Sequence, residues 1–374
     1  MERGTRLAWL ALAVVATACG GAGDPPPSSL RVVSARSYAE ADRLFRGDAR
    51  WLGGDGALSI PLDDERTLWL FGDSFVATSD ASDRRESAFV RNTLAIQTGR
   101  DPRTASMRFV WRTGTDGAPG PFFPDRDERW YWPGHGVRLE EGPLLVFLMG
   151  VRATPGEGLG FEEAGYRIAR VDDPDADPLT WEPVWIAPPE LPADPDASVG
   201  TAVVRDGDHL VALVNAEGSR HLGRLARFPI DALLDGRAEP EWWTADGWTA
   251  AAALGASEPL TVISDAGAEA SLHRDPSGTW VHVLTRGFGG TTIALATAPS
   301  VTGPWSSPAD VFTPPESTGP APFVYAAKAH PWLAADGGLL VTYATNSFDF
   351  ADLFTEEGQD RLYYPRFVRL ELER

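Results

Sequence analysis

The sequence predicts an all-β chain, a five-bladed β-propeller behind a short N-terminal lipoprotein signal and tether. Three observations carry this. Strand-length apolar runs recur five times at a roughly even spacing. Most follow a turn signal, and each ends in a polar residue. No helical stretch of comparable length separates them, ADRLF and IDALLDG being short. Units of strand, turn and strand recurring along a chain mark a propeller or array. A closed ring also removes the free sheet edges that a long all-β chain must otherwise protect. A large β-sandwich is the competing architecture.

The first element is a processing signal. Arg3 and Arg6 make a basic start, Leu7–Ala16 is an apolar run, and Ala16-Thr17-Ala18-Cys19 is a small-residue cleavage site. The run is too short to span a bilayer and fits a secretory leader, residues 1–18. Cys19 is the single cysteine of the chain and stands where bacterial lipoproteins carry their lipid. The stretch resembles a lipobox, with Ala16 in place of the usual Leu or Val; ordinary secretory cleavage is the other reading. Residues 19–30, rich in Gly, Pro and Ser, read as a tether, and 31–374 as the propeller. The expected location is extracytoplasmic, at the outer membrane or cell surface, with membrane contact only through the anchor.

Charge narrows the partners. The formal net charge is −20, and loss of Glu2, Arg3 and Arg6 with the leader takes it to −21. No Lys/Arg run offsets this, so a phosphate backbone is repelled and nucleic acid is not an expected partner. One cysteine allows no internal disulfide and no cysteine metal cluster. With 38 Gly, 31 Pro and 14 Trp, the composition favours many short strands joined by tight turns.

The five runs are TLWLFGDS (67–74), PLLVFLMGV (143–151), HLVALVNAE (209–217), TWVHVLTRG (279–287) and GLLVTYATNS (338–347). Before each lies a second strand: 56–62, 136–140, 200–206, 270–275 and 330–335. Each pair reads as a hairpin whose earlier strand is innermost in its blade. Inner-strand starts and second-strand ends then gather around one mouth. The starts are Asp55, His135, Gly200-Thr201, Glu269 and His330; the ends are Asp73, Arg152, Asn215, Arg286 and Asn346. Turn statistics alone favour Asp, Asn and Gly at strand ends. Asp73, closing RTLWLFGD, is therefore open to two readings, a turn carboxylate or a group held at a site.

Two carboxylates across such a mouth suit glycoside cleavage, one protonating the leaving oxygen and the other activating water or attacking carbon. Asp55 sits among the glycines of WLGGDGA, which allow close approach of a ligand. Glu269 lies between Ala268 and Ala270, where partial desolvation raises a carboxyl pKa. Each also has a plain reading, a turn aspartate and a solvent-facing strand end. Arg91-Asn92 in AFVRNTLAI, Tyr325 with Lys328 in VYAAKAH, and Arg366 in YYPRF complete the candidates. Arg91 is placed to pair with Asp73 or a ligand oxygen, and Arg366 to line the site or close the last blade. His209, His221, His273 and His282 read as structural or surface residues. No H-x-x-x-H or H-E-x-x-H spacing occurs, so no catalytic zinc and no cofactor are expected. A channel calcium is left open.

WLGGDGALSIPL, RTLWLFGDSF, FVRNTLAI, EASLHRDPSGTWVHVL, SVTGPWSSP and YAAKAHPWL resemble the five-bladed propellers of uncharacterised bacterial secreted proteins. Those are similar at clan distance to glycoside hydrolase families 43 and 32. In the family-43 pattern, a first-blade Asp is general base, a fourth-blade Glu general acid, and a third-blade Asp tunes that acid. The resemblance implies that Asp55 and Glu269 match the first two. The third has no match, since the corresponding strand begins SVGTAVV; either Asp196 or Asp73 substitutes, or the hydrolytic machinery is incomplete. The resulting expectation is an anchored glycoside hydrolase for furanosidic or pentose-containing glycans. Asp55 is its base or nucleophile, Glu269 its acid and Asp73 the tuner. Arg91, Asn92, His135, Asn215, Arg286, Tyr325, Lys328, His330, Asn346 and Arg366 would line the subsites. The alternatives are a non-catalytic propeller that binds a glycan or protein through the same ring, and a scaffold without a ligand.

Overall fold

The computed structural model describes residues 30–80, 83–155, 160–186, 197–216, 221–255, 257–287, 290–317, 322–334 and 336–373. The predicted leader, Cys19 and all of the tether but Leu30 lie outside them, as does Asp196. Among the described residues the chain is all-β in several antiparallel sheets, with only short helical turns. No helix there is long and apolar enough to cross a membrane.

Five of the sheets have four or five strands. The first orders Leu58–Pro61, Arg66–Phe71, Thr93–Thr98 and Ser106–Val110, and the second Trp130–Arg138, Leu144–Ala153, Phe161–Val171 and Val184–Ile186. The third runs from Ser198–Asp206 through His209–Ala216, Leu222–Pro229 and Glu241–Thr244 to Gly247–Ala250. The fourth holds Ala270–Arg274, Trp280–Thr285, Ile293–Ala298 and Ala309–Phe312. In the fifth, Pro322–Ala329, Leu339–Ser347 and Arg366–Glu373 are joined on the outside by the N-terminal Arg31–Ser37. That pairing, Arg31 opposite Glu373 and Ser37 opposite Val368, ties the two ends of the described chain together.

The leading strand of each sheet touches that of the next in a propeller-like order, second with first and third, third with fourth, fourth with fifth. Hydrogen bonds from Tyr325 and Lys328 to Asp55 and Gly56 join the fifth to the first. The hairpins follow their turn chemistry. In DPSG, Asp275 Oδ1 accepts from the N–H of Ser277 and Thr279, and Gly278 takes φ +92°, a left-handed conformation cheap only for glycine. Apolar faces then pack sheet on sheet: Phe147, Ile168, Val203, Phe228 and Trp242 are all essentially buried in one core. Each fully buried Leu, Val or Phe contributes about 1.5–3 kcal/mol.

Two hairpins differ from the expected ones. In the fifth sheet the inner strand is Pro322–Ala329, and 330–334 is the turn. Pro331 has no N–H to donate, so the ladder ends before it. His330 accordingly lies at the far end of the strand from the mouth. In the second sheet the strand begins at Trp130, not 136, and His135 sits inside it at a bulge between Pro133 and Gly136.

Candidate functional site

The chain kinks at Gly72-Asp73, between Arg66–Phe71 of the first sheet and Ser74–Ala77 of a three-stranded sheet that includes Trp51–Gly54 and Ser87–Val90. Asp55 stands at the matching break on the neighbouring strand. Its N–H donates to the Asp73 carbonyl at 3.2 Å, and its carbonyl accepts from the Gly72 N–H at 3.0 Å. Two acids that are eighteen positions apart are thus held side by side by backbone pairing. Asp73 is no mere turn residue.

Three carboxyl groups share this region. Asp55 Oδ2 accepts from the hydroxyls of Tyr325 at 2.9 Å and Tyr363 at 3.1 Å. Asp73 Oδ1 accepts from Trp132 Nε1 at 2.9 Å, and its Oδ2 lies 3.3 Å from Arg91 Nη1. The Arg91 guanidinium lies over the Trp130 ring, 4.4 Å from its centroid. Glu269, immediately before Ala270–Arg274, pairs through Oε1 with Lys328 Nζ at 3.0 Å. That ammonium is almost fully buried and also donates to the carbonyls of Gly56 at 2.6 Å and Ala326 at 3.1 Å. It therefore ties Glu269 to the residue beside Asp55. Glycine is needed here for lack of room. A Cβ on Gly72 would lie 2.5 Å from Asp55 Oδ1, and one on Gly53 would lie 2.4 Å from the Tyr363 carbonyl. The WLGG glycines thus admit the protein's own chain rather than a ligand.

Electrostatics follow from this crowding. Desolvation, then the neighbouring Asp73 and Glu269 charges, push the Asp55 pKa well above the usual carboxylate range, against its two tyrosine hydrogen bonds. Burial raises Asp73 to about 6, with Trp132 and Arg91 opposing. Burial also raises the Tyr325 and Tyr363 hydroxyls and lowers Lys328, whose ionised form Glu269 favours. The sequence placed the desolvated acid at Glu269; the structure sets a cation against Glu269 and makes Asp55 the carboxyl that favours its proton.

Asp55, Asp73, Glu269, Arg91, Tyr325 and Lys328 are therefore brought together. Lys328 has three partners and is almost fully buried, so it holds Glu269 rather than a ligand. The other candidates are placed elsewhere. Asn92 is fully buried, donating to the carbonyls of Phe123 and Tyr131 and accepting from Phe123 N–H. His135 bonds the backbone of Val203 and Ser59, and His330 bonds the Ser59 and Thr342 hydroxyls; burial lowers the pKa of both. They fill the centre rather than line a subsite. Asn215 is buried and donates to the Gly267 carbonyl at 2.7 Å, fixing the segment that delivers Glu269. Arg286 turns outward to Asp310 and the Pro308 carbonyl on the outermost strand. Arg366 joins Asp42 and Glu316, closing the last sheet. Asn346 lies opposite Phe323, its Oδ1 accepting from Ser347 N–H. Arg152 pairs with exposed Glu162.

Two side chains bonded to the acids were not among the sequence candidates. Trp132 donates its indole N–H to Asp73. Tyr363 lies 308 residues from Asp55, and no local signal links them; its backbone takes a left-handed φ of +65°. Among the described residues no group of three His, Cys, Asp or Glu side chains is placed to hold a metal ion.

Fold and site together define an all-β protein with a cluster of carboxylates at adjacent strand breaks of propeller-like sheets. The chain belongs to the family described as a domain of unknown function, DUF5005, whose model matches residues 39–372. No curated protein matched the sequence. Among solved structures, a candidate hydrolase from Bacteroides ovatus is similar over 90% of both chains, with TM-score 0.70 and 19% identity, a likeness of fold. An endo-arabinase from Bacteroides thetaiotaomicron is matched at TM-score 0.43 and 13% identity, over 85% of this chain and 94% of that one. A xylan β-1,4-xylosidase from Bacillus halodurans is matched at 0.46 and 12%, over 85% of this chain. This chain spans about half, 52%, of that xylosidase.

Proposed function

We propose that this is a five-bladed β-propeller glycoside hydrolase, exported by its leader and held at the cell envelope through a lipid on Cys19. Its substrate class is a furanosidic or pentose-containing glycan. The observation that carries the reading is the pairing of Asp55 and Glu269 at one mouth, with Lys328 bridging Glu269 to the Gly56 carbonyl.

Glycoside cleavage needs one protonated and one ionised carboxyl, held apart in character by their surroundings. Burial and two neighbouring acids favour the neutral form of Asp55. Glu269 is the anion of an ion pair with Lys328. We therefore give Asp55 the proton that goes to the leaving oxygen, and Glu269 the task of activating water or attacking the anomeric carbon, the reverse of the sequence expectation. Asp73, held by Arg91 and Trp132, adds its charge to the burial that favours neutral Asp55, in place of a third-blade carboxylate. Tyr325 and Tyr363 fix the orientation of Asp55. A second reading, a propeller that binds a glycan without cleaving it, is favoured by the engagement of Glu269 Oε1 with Lys328.

The test is release of reducing sugar or aryl alcohol by the full-length chain from a panel of neutral glycans and aryl glycosides, beside Asp55→Asn. Glycan turnover lost on the substitution supports hydrolysis; binding without turnover in the wild type supports the second reading.

A further inference from the structure

Seven large apolar side chains are exposed among the described residues, and four of them, Val33, Leu179, Val184 and Leu260, are aliphatic. The three aromatic ones, Phe348 at 61%, Phe350 at 50% and Phe89 at 41% exposure, are gathered beside the carboxylates. Phe348 packs on Phe323 with ring centroids 4.5 Å apart, and Phe323 lies 5.5 Å from Tyr325, the donor to Asp55. Phe350 meets Phe89 edge-on at 6.3 Å, and Phe89 lies 5.6 Å from the guanidinium of Arg91, the partner of Asp73. Two arms of contacting rings thus run outward from the two acids.

We infer that Phe348, Phe350 and Phe89 form a stacking platform for the sugar rings of a neutral glycan chain extending away from the carboxylates. The inference rests on the glycan reading above and narrows the substrate to a polymer. Exposed aromatic faces take the C–H face of a sugar ring, and phenylalanine, lacking a hydrogen-bonding group, reads ring shape rather than hydroxyl pattern. A net charge of −20 disfavours a polyanionic chain. The platform therefore favours chain length over sugar identity.

The experiment is affinity electrophoresis of the full-length chain in native gels containing linear arabinan, xylan or β-1,3-galactan, which needs no turnover. Wild-type protein is expected to be retarded by at least one of these and not by polygalacturonate. Phe348→Ala and Phe350→Ala should each weaken binding about two- to tenfold, the worth of one ring contact. Phe348→Trp should retain it, and Leu179→Ala, an exposed apolar residue elsewhere, should change nothing. Both Phe sites are exposed, so unchanged melting temperatures show that the variants fold. No retardation of the wild type, or equal retardation of wild type and both Ala variants, overturns the platform. Loss of vesicle binding instead of glycan binding in those variants would assign the patch to a membrane surface and also overturn it. Retardation without turnover would leave the platform standing and sink the hydrolase reading; turnover of short aryl glycosides without retardation would do the reverse.

Discussion

Replacing Asp73 by Asn should make the protein more stable and less active. Burial holds this carboxyl at about 6 against an ordinary 3.8, even with Arg91 and Trp132 bonded to it. Between those values the folded chain keeps a proton that the unfolded chain has released. Stability therefore falls as pH rises through that window, and the loss is complete above it. A shift of about 2 units at 1.36 kcal/mol each gives a cost of up to about 3 kcal/mol at neutral pH. Asn is isosteric, carries no charge, and can still accept from Trp132. With an unfolding entropy of about 2.1 cal/mol/K per residue over about 340 residues, that corresponds to a rise in Tm of about 4 °C. Calorimetry at pH 7.5 and pH 5 measures it. The gain should be present at pH 7.5 and smaller at pH 5, while turnover falls at least tenfold. An Asp73→Asn protein that melts at or below wild type at pH 7.5 would show the Arg91 pair to be a net stabiliser and refute the reasoning.

Lys328→Met removes a buried cation with three acceptors, leaving Glu269 and two carbonyls without it. It should cost about 2–4 kcal/mol in a urea melt and abolish turnover. Gly72→Ala places a methyl group 2.5 Å from Asp55 Oδ1, so kcat should fall at least tenfold with a smaller change in KM. His282 is fully buried and its pKa is lowered by desolvation to about 4. Its contribution is present above pH 6.5 and lost as pH falls towards 4, so His282→Gln should reduce the acid loss of stability by up to about 3 kcal/mol in melts at pH 7 and 4.

Much of the framework was legible because strands advertise themselves locally. Three of the five hairpins fall where an apolar run, a turn signal and a second run coincide, the second starts earlier, at Trp130, and DPSG forms the turn its residues dictate. The fifth was placed late because Pro331, read as part of a strand, terminates one. That slip put His330 at the mouth, whereas it lies in the buried centre, and it left Tyr325 and Lys328 off the inner strand they occupy. Asp55, Asp73 and Glu269 could be singled out because the hairpin pattern puts strand ends from different sheets together, although a turn role explains an aspartate at a strand end equally well. Their partners could not. Whether Arg286 turns in toward the mouth or out to Asp310 depends on a strand 24 residues away, and the approach of Tyr363 to Asp55 depends on closure of the whole ring. The raised pKa likewise belongs to Asp55 because burial and three-way repulsion are properties of the assembled site.

The most direct test compares Asp55→Asn and Glu269→Gln on a natural glycan and on a dinitrophenyl glycoside of the same sugar. A dinitrophenolate leaves without a proton, so only the glycan needs the acid. The account predicts that Glu269→Gln loses turnover of both substrates, whereas Asp55→Asn loses about 10²–10⁴-fold on the glycan and far less on the activated glycoside. The opposite pattern would exchange the two roles. Undiminished cleavage of the natural glycan by either variant would contradict the carboxylate pair itself.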